Sequence, residues 1–115
     1  MKILIKNGLL VNENKIFESD ILVNGELIEK IDKKISSDYA DSVIDCEGSL
    51  ILPGIIDDQV HFREPGFPNK ATIYSESRAA VAGGVTSYFE MPNTNPSTTT
   101  LDRLNQKFDI ASKSS

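Results

Sequence analysis

Three side chains of this sequence could act on one substrate together: the imidazole of His61, the guanidinium of Arg63 and the carboxamide of Asn93. His61, the single histidine, and Arg63 belong to Asp57-Asp58-Gln59-Val60-His61-Phe62-Arg63-Glu64-Pro65-Gly66. Just before it, the apolar run Leu50-Ile51-Leu52 and Ile55-Ile56, broken by Pro53-Gly54, gives way to carboxylates, an amide and cations. This is the pattern of a buried strand ending in a polar loop, the place where an α/β enzyme keeps its working groups. Asn93 lies in a second such terminus, Pro92-Asn93-Thr94-Asn95-Pro96, which follows the β-branched and aromatic run from Val85 to Met91.

Each group also has an ordinary explanation. One imidazole cannot make a metal site, and a lone histidine is more often structural than a ligand. Arg63 offers a planar fork suited to a carboxylate, yet Glu64 and Asp58 stand close enough in sequence to pair with it. Asn93 and Asn95 fit a turn whose side chains bond their own backbone. Asp57 and Asp58 could serve as a base or metal pair, although capping a strand end is the commoner role for adjacent aspartates. No Gly-rich phosphate loop, Ser/His/Asp set or Cys-x-x-Cys is present, which leaves metal-assisted chemistry as the one sharp catalytic option.

The remaining residues form the scaffold that must position these groups. Through residue 50, short β-like runs alternate with turn dipeptides, as in an antiparallel sheet: Ile3-Leu4-Ile5 before Asn7-Gly8, Leu9-Leu10-Val11 before Asn12-Glu13-Asn14, and Ile21-Leu22-Val23 before Asn24-Gly25. Asn24-Gly25 is the strongest two-residue hairpin signal, because both positions tolerate positive φ. The mixed charges from Glu29 to Lys34 read as a solvated face. Beyond Gly66 the period becomes helical: residues 72–82 put Ile73, Ser77, Ala80 and Val81 on one side and stop at Gly83-Gly84. The next strand, 85–91, places Tyr88 and Phe89 in the core. A second helix starts near Thr99 and Asp102, at capping-box spacing, with Leu101, Leu104, Phe108 and Ala111 at helical intervals. A strand-helix-strand crossover makes the two strands parallel, so their C-terminal ends share a rim and His61, Arg63 and Asn93 should be neighbours.

Composition narrows the partner. With 115 residues, a net charge of −5 and a pI near 4.8, the chain buries one modest core and does not present a surface made for nucleic acid or anionic lipid. A small molecule or a protein is the expected partner. Lys6, Asn7 and Gly8 interrupt the apolar start before a signal-peptide core is complete, and no stretch reaches membrane-spanning length, so a cytoplasmic protein is expected. Cys46 is the single cysteine, between Asp45 and Glu47, and reads as a passive thiol with no partner for an intrachain disulfide.

Taken in order, Pro53 to Gly66, Glu76-Ser77-Arg78-Ala79-Ala80-Val81-Ala82-Gly83-Gly84-Val85-Thr86 and Met91-Pro92-Asn93-Thr94-Asn95-Pro96 resemble the amino-terminal part of a dihydroorotase of the amidohydrolase superfamily. Phe-Arg-Glu-Pro-Gly and Met-Pro-Asn-Thr favour that branch over dihydropyrimidinases; allantoinases are the nearer alternative. The resemblance implies an α/β fold: a small antiparallel β domain over residues 1–50, then, over 51–115, the first β/α units of an incomplete (β/α)8 barrel, which needs roughly 250 residues in full. It implies a zinc enzyme of pyrimidine synthesis that interconverts dihydroorotate and carbamoyl aspartate. His61 would then be a metal ligand, and Arg63 and Asn93 would hold the substrate carboxylate, with no catalytic residue in these 115 positions. The family's His-x-His pair has Gln59 at its first position here, and an amide oxygen binds zinc more weakly than imidazole. Gln59 therefore also supports a rival, a non-catalytic relative used as a scaffold. A homo-oligomer or the remainder of the same barrel is the expected protein partner.

Overall fold

The computed structural model describes residues 1–114, which divide into two compact units meeting at Pro53 and Gly54. The first is a five-stranded sheet built from β1 (Lys2–Asn12), β2 (Lys15–Asn24), β3 (Leu27–Asp32), β4 (Ser42–Asp45) and β5 (Leu50–Ile51). Its order is β3-β2-β1-β4, and β5 takes the farther part of the β1 edge that β4 leaves free. The first three strands are antiparallel, as the turn signals imply, but β4 and β5 run parallel to β1. The sheet is therefore mixed rather than antiparallel. Its cause lies between Lys33 and Asp41, where the chain crosses through a 3-10 turn at Ser37–Tyr39 and so returns in the direction of β1.

Two of the turn assignments need correction. Asn7-Gly8 is no turn: β1 runs through it as one strand, with a register shift between Ile5 and Gly8 and with Asn7 at φ 55°. This is a β-bulge, in which an Asn tolerates the left-handed conformation. Both central residues of the β1–β2 hairpin, Glu13 and Asn14, have positive φ (49° and 60°), so the primed-turn geometry expected at Asn24-Gly25 occurs here instead. The later hairpin pairs Asn24 with Leu27 and turns at Gly25-Glu26, one residue on.

Leu4, Leu22 and Ile35 form the buried cluster of this unit. Asp20, also buried, ties it together by accepting from the backbone amides of Asn7 (3.0 Å) and Ile35 (2.9 Å). The bulge and the crossover loop thus share one carboxylate. Because β5 belongs to this sheet, Leu50-Ile51 is separate from the strand that leads to His61, and the compact unit extends to Pro53 rather than residue 50.

The second unit is strand, helix, strand, helix: β6 (Ile55–Val60), α1 (Ile73–Ala82), β7 (Val85–Glu90) and α2 (Leu101–Ser114). β6 and β7 pair in parallel, as a crossover connection requires. Thr72 caps α1 through a full capping box with Ser75, and Gly83 ends it. Thr100 supplies the oxygen at the start of α2, accepting from Arg103 N, one residue beyond the expected Thr99.

Burial in this unit departs from expectation. Ile55 and Ile56 are 55% and 65% exposed, so β6 is not a buried strand among the described residues. Tyr88 packs on Phe62 with ring centroids 4.5 Å apart, whereas Phe89 is exposed; neighbours on a strand face opposite sides, so both cannot enter one core. On α2, Leu101, Leu104 and Phe108 are exposed and Lys107 is buried.

Candidate active site

The two parallel strands end on one side, and both polar segments follow from those ends. His61 begins the segment after β6, and its Nδ1 lies 3.0 Å from Oδ1 of Asn93 in the segment after β7. A carboxamide oxygen only accepts, so Nδ1 is the donor in this contact and Nε2 is the ring nitrogen that it leaves without this partner. The expected meeting of imidazole and carboxamide is present. The plain-turn explanation of Asn93 falls away, because its side chain reaches across to the other strand's loop.

Arg63 shares the His61 loop. It is a half-buried residue at φ 64°, in the left-handed region that a non-glycine residue enters only at some conformational cost, and its carbonyl accepts from Phe67 N at 3.1 Å. Among the described residues its guanidinium makes no ion pair or hydrogen bond. Neither Glu64 nor Asp58 pairs with it. Glu64 instead accepts from Ile73 N at 2.8 Å, placing a carboxylate on the positive end of α1. Asp57 accepts from Gln59 N at 3.0 Å and so stabilises its own strand.

The loops carrying these groups are fastened to each other and to the strands. Phe62, buried between His61 and Arg63, anchors the first loop on Tyr88. Asn95 N donates to Pro65 O at 3.0 Å, and Gly66 lies so close to Asn95 that an added Cβ would stand 2.3 Å from its carbonyl oxygen. Buried Thr94 donates to Pro96 O and shares a hydrogen bond with Thr98, both at 2.9 Å, which closes the second loop on itself. Glu90 and Lys107, which the sequence reading passed over, form a buried ion pair beside the loops. The signal was available: Lys107 lies three residues after Leu104 and four before Ala111, on the stripe assigned to apolar packing.

A metal does not fit this chain's donors by themselves. His61 offers one imidazole and Gln59 one exposed carboxamide, and among the described residues no three His, Cys, Asp or Glu side chains converge. What these residues can do is bind an anion at Arg63 and orient an imidazole through Asn93. Among the described residues, no helix is long and apolar enough to cross a membrane.

Comparison with known proteins finds relatives over nearly the whole chain. The model of a family described as dihydro-orotase-like matches residues 48–111. A dihydroorotase of Enterococcus faecalis is 40% identical over 114 residues, spanning 98% of this chain and 27% of that protein. One from Bacillus subtilis is 45% identical over 105 residues, 90% of this chain and 24% of that protein. Among solved structures, an L-hydantoinase (dihydropyrimidinase) from Arthrobacter aurescens superposes with a TM-score of 0.89 at 35% identity, covering 95% of this chain and 24% of the hydantoinase. The chain thus spans about a quarter of the length of the relatives it matches.

Proposed function

The chain belongs to the dihydro-orotase-like family, and from that premise we propose that the polypeptide carrying it is a cyclic amidohydrolase, specifically a dihydroorotase. It would open the cyclic amide of dihydroorotate reversibly to carbamoyl aspartate in pyrimidine synthesis. The observation that carries this reading is Arg63, a half-buried residue whose guanidinium has no ion pair or hydrogen bond among the described residues, on the loop whose His61 meets Asn93. A carboxylate-bearing substrate satisfies such a group with two parallel hydrogen bonds, and an isolated amide does not.

In this reading Arg63 and Asn93 hold the substrate carboxylate. Zinc would take His61 Nε2 as one ligand, with Gln59 at most a weak second, and would need its other ligands from polypeptide outside this chain. The 115 residues alone would therefore be inactive. A cytoplasmic location, and a homo-oligomer or the rest of its own barrel as protein partner, belong to the same proposal.

Arg63→Ala in the complete polypeptide should weaken a carboxylate-bearing substrate by about 2 to 3 kcal/mol, roughly a hundredfold in kcat/KM, while sparing an uncharged cyclic amide. His61→Ala should lower bound zinc. Absence of dihydroorotate turnover with and without added zinc would defeat the proposal. Gln59 favours a second reading, a non-catalytic scaffold, which predicts no stoichiometric metal and tolerance of His61→Ala. The hydantoinase likeness favours a third, another cyclic amide as substrate, allantoin included; equal turnover of charged and uncharged amides by the Arg63→Ala protein would select it.

A further inference from the structure

Glu90 ends β7 and Lys107 lies in α2, and their side chains are 8% and 9% exposed. One carboxylate oxygen, Oε2, accepts from Lys107 Nζ. The other, Oε1, accepts at 3.2 Å from Phe62 N, the backbone amide between His61 and Arg63. Lys107 Nζ also donates at 3.2 Å to the carbonyl of Met91, two residues before Asn93. A single ion pair therefore grips both loops of the candidate site by their backbones.

Stability alone does not account for such a pair. A buried ion pair is often replaceable by apolar residues of similar volume without loss, because desolvation offsets its attraction. An apolar pair, however, could not accept from Phe62 or donate to Met91. We propose that Glu90 and Lys107 are positioning residues that set the spacing between the His61–Arg63 loop and the Asn93 loop, and with it the fit of a carboxylate-bearing substrate. This rests on the reading above that Arg63 and Asn93 share one substrate; the pair itself touches neither substrate nor reacting atoms.

The test uses the complete polypeptide with three variants. Glu90→Leu/Lys107→Met removes both backbone contacts, Glu90→Gln/Lys107→Met restores only the acceptor for Phe62, and Lys107→Arg keeps the charge while displacing the donor from Met91. KM and kcat are measured together with amide hydrogen exchange at residues 61–63. The apolar double variant should raise KM about tenfold with a smaller change in kcat and speed exchange at Phe62 roughly tenfold, the scale of one hydrogen bond to a charged group. Glu90→Gln/Lys107→Met should return exchange, but not KM, towards the original value. A folded apolar variant with unchanged KM and unchanged exchange overturns the proposal. Should that variant fail to fold, Lys107→Arg decides: a raised KM with unchanged Phe62 exchange supports the clamp, and an unchanged KM overturns it. If the unmodified polypeptide turns nothing over, that result counts against the proposed activity alone, and exchange still decides the clamp, at Phe62 in Glu90→Leu/Lys107→Met or, where that variant does not fold, at Asn95, whose amide donates to Pro65 of the other loop, in Lys107→Arg: faster exchange upholds it and unchanged exchange overturns it.

Discussion

The two units of this chain differ in where their buried residues lie. The first hides aliphatic side chains: Leu4 has no exposed surface, and Leu22 and Ile35 keep 3% each. The second leaves Ile55, Ile56 and Phe89 exposed, and its buried groups are Phe62, Ile73, Ser77, Thr94 and Lys107. Phe62 and Thr94 belong to the two loops that carry His61, Arg63 and Asn93, and Lys107 reaches both loops through Glu90 and Met91. Order in the first unit is thus a matter of a sheet closing on its own apolar face. In the second it is concentrated at the strand ends, where ligands bind in parallel α/β architectures.

The sharpest way to break this contrast is to truncate one aliphatic residue in each unit. Leu4→Ala should destabilise the first unit by about 3 kcal/mol, because a fully buried leucine loses transfer energy and leaves a cavity. Ile56→Ala, at a position 65% exposed, should change the stability of the second unit by less than about 0.5 kcal/mol. Equal effects in a urea titration would show that the two units do not differ in this way. Between these extremes lies Gly66→Ala. Its φ of 106° and the backbone of Asn95 both oppose a Cβ, so about 2 kcal/mol is expected. That substitution should also separate the two loops, seen as faster exchange of the Asn95 amide, which now donates to Pro65.

Local chemistry explains what could be read from the sequence and what could not. The hairpins, the start of α1 near Thr72 and its Gly83 stop depend on residues adjacent in the chain, and they were predicted to within one or two positions. The crossover argument brought His61 and Asn93 together, since it needs only the order strand, helix, strand. The parallel placement of β4 and β5 was missed because nothing within either run states which way its partner runs. Asn7-Gly8 was misread for a related reason: a bulge and a turn ask the same positive φ of the same residue types. Lys107 was overlooked because a charge on an apolar stripe is assumed to reach solvent, and here a carboxylate from another element meets it.

The bulge offers the mildest test of how the first unit is held. Asn7 Nδ2 donates to both carboxylate oxygens of Asp45 at 3.0 Å, and Glu47 N donates to Asp45 Oδ1 at 2.9 Å. These bonds, the Asn7 side chain first and the Glu47 amide second, hold the Asp45 carboxyl below its ordinary value of 3.8. A depressed acid contributes stability above its unfolded-state value and loses it as pH falls through the lower folded one. Asp45→Asn removes this titration while leaving the depressed Glu29 and Asp32 in place, so their share cancels between the two proteins. The original chain should be the more stable at neutral pH, and the gap should narrow steadily below about pH 4. Because Asp45 is fully exposed the difference should be smaller than any above, and a gap that stays constant down to about pH 2 would show that its bonds to Asn7 and Glu47 do not depend on its charge.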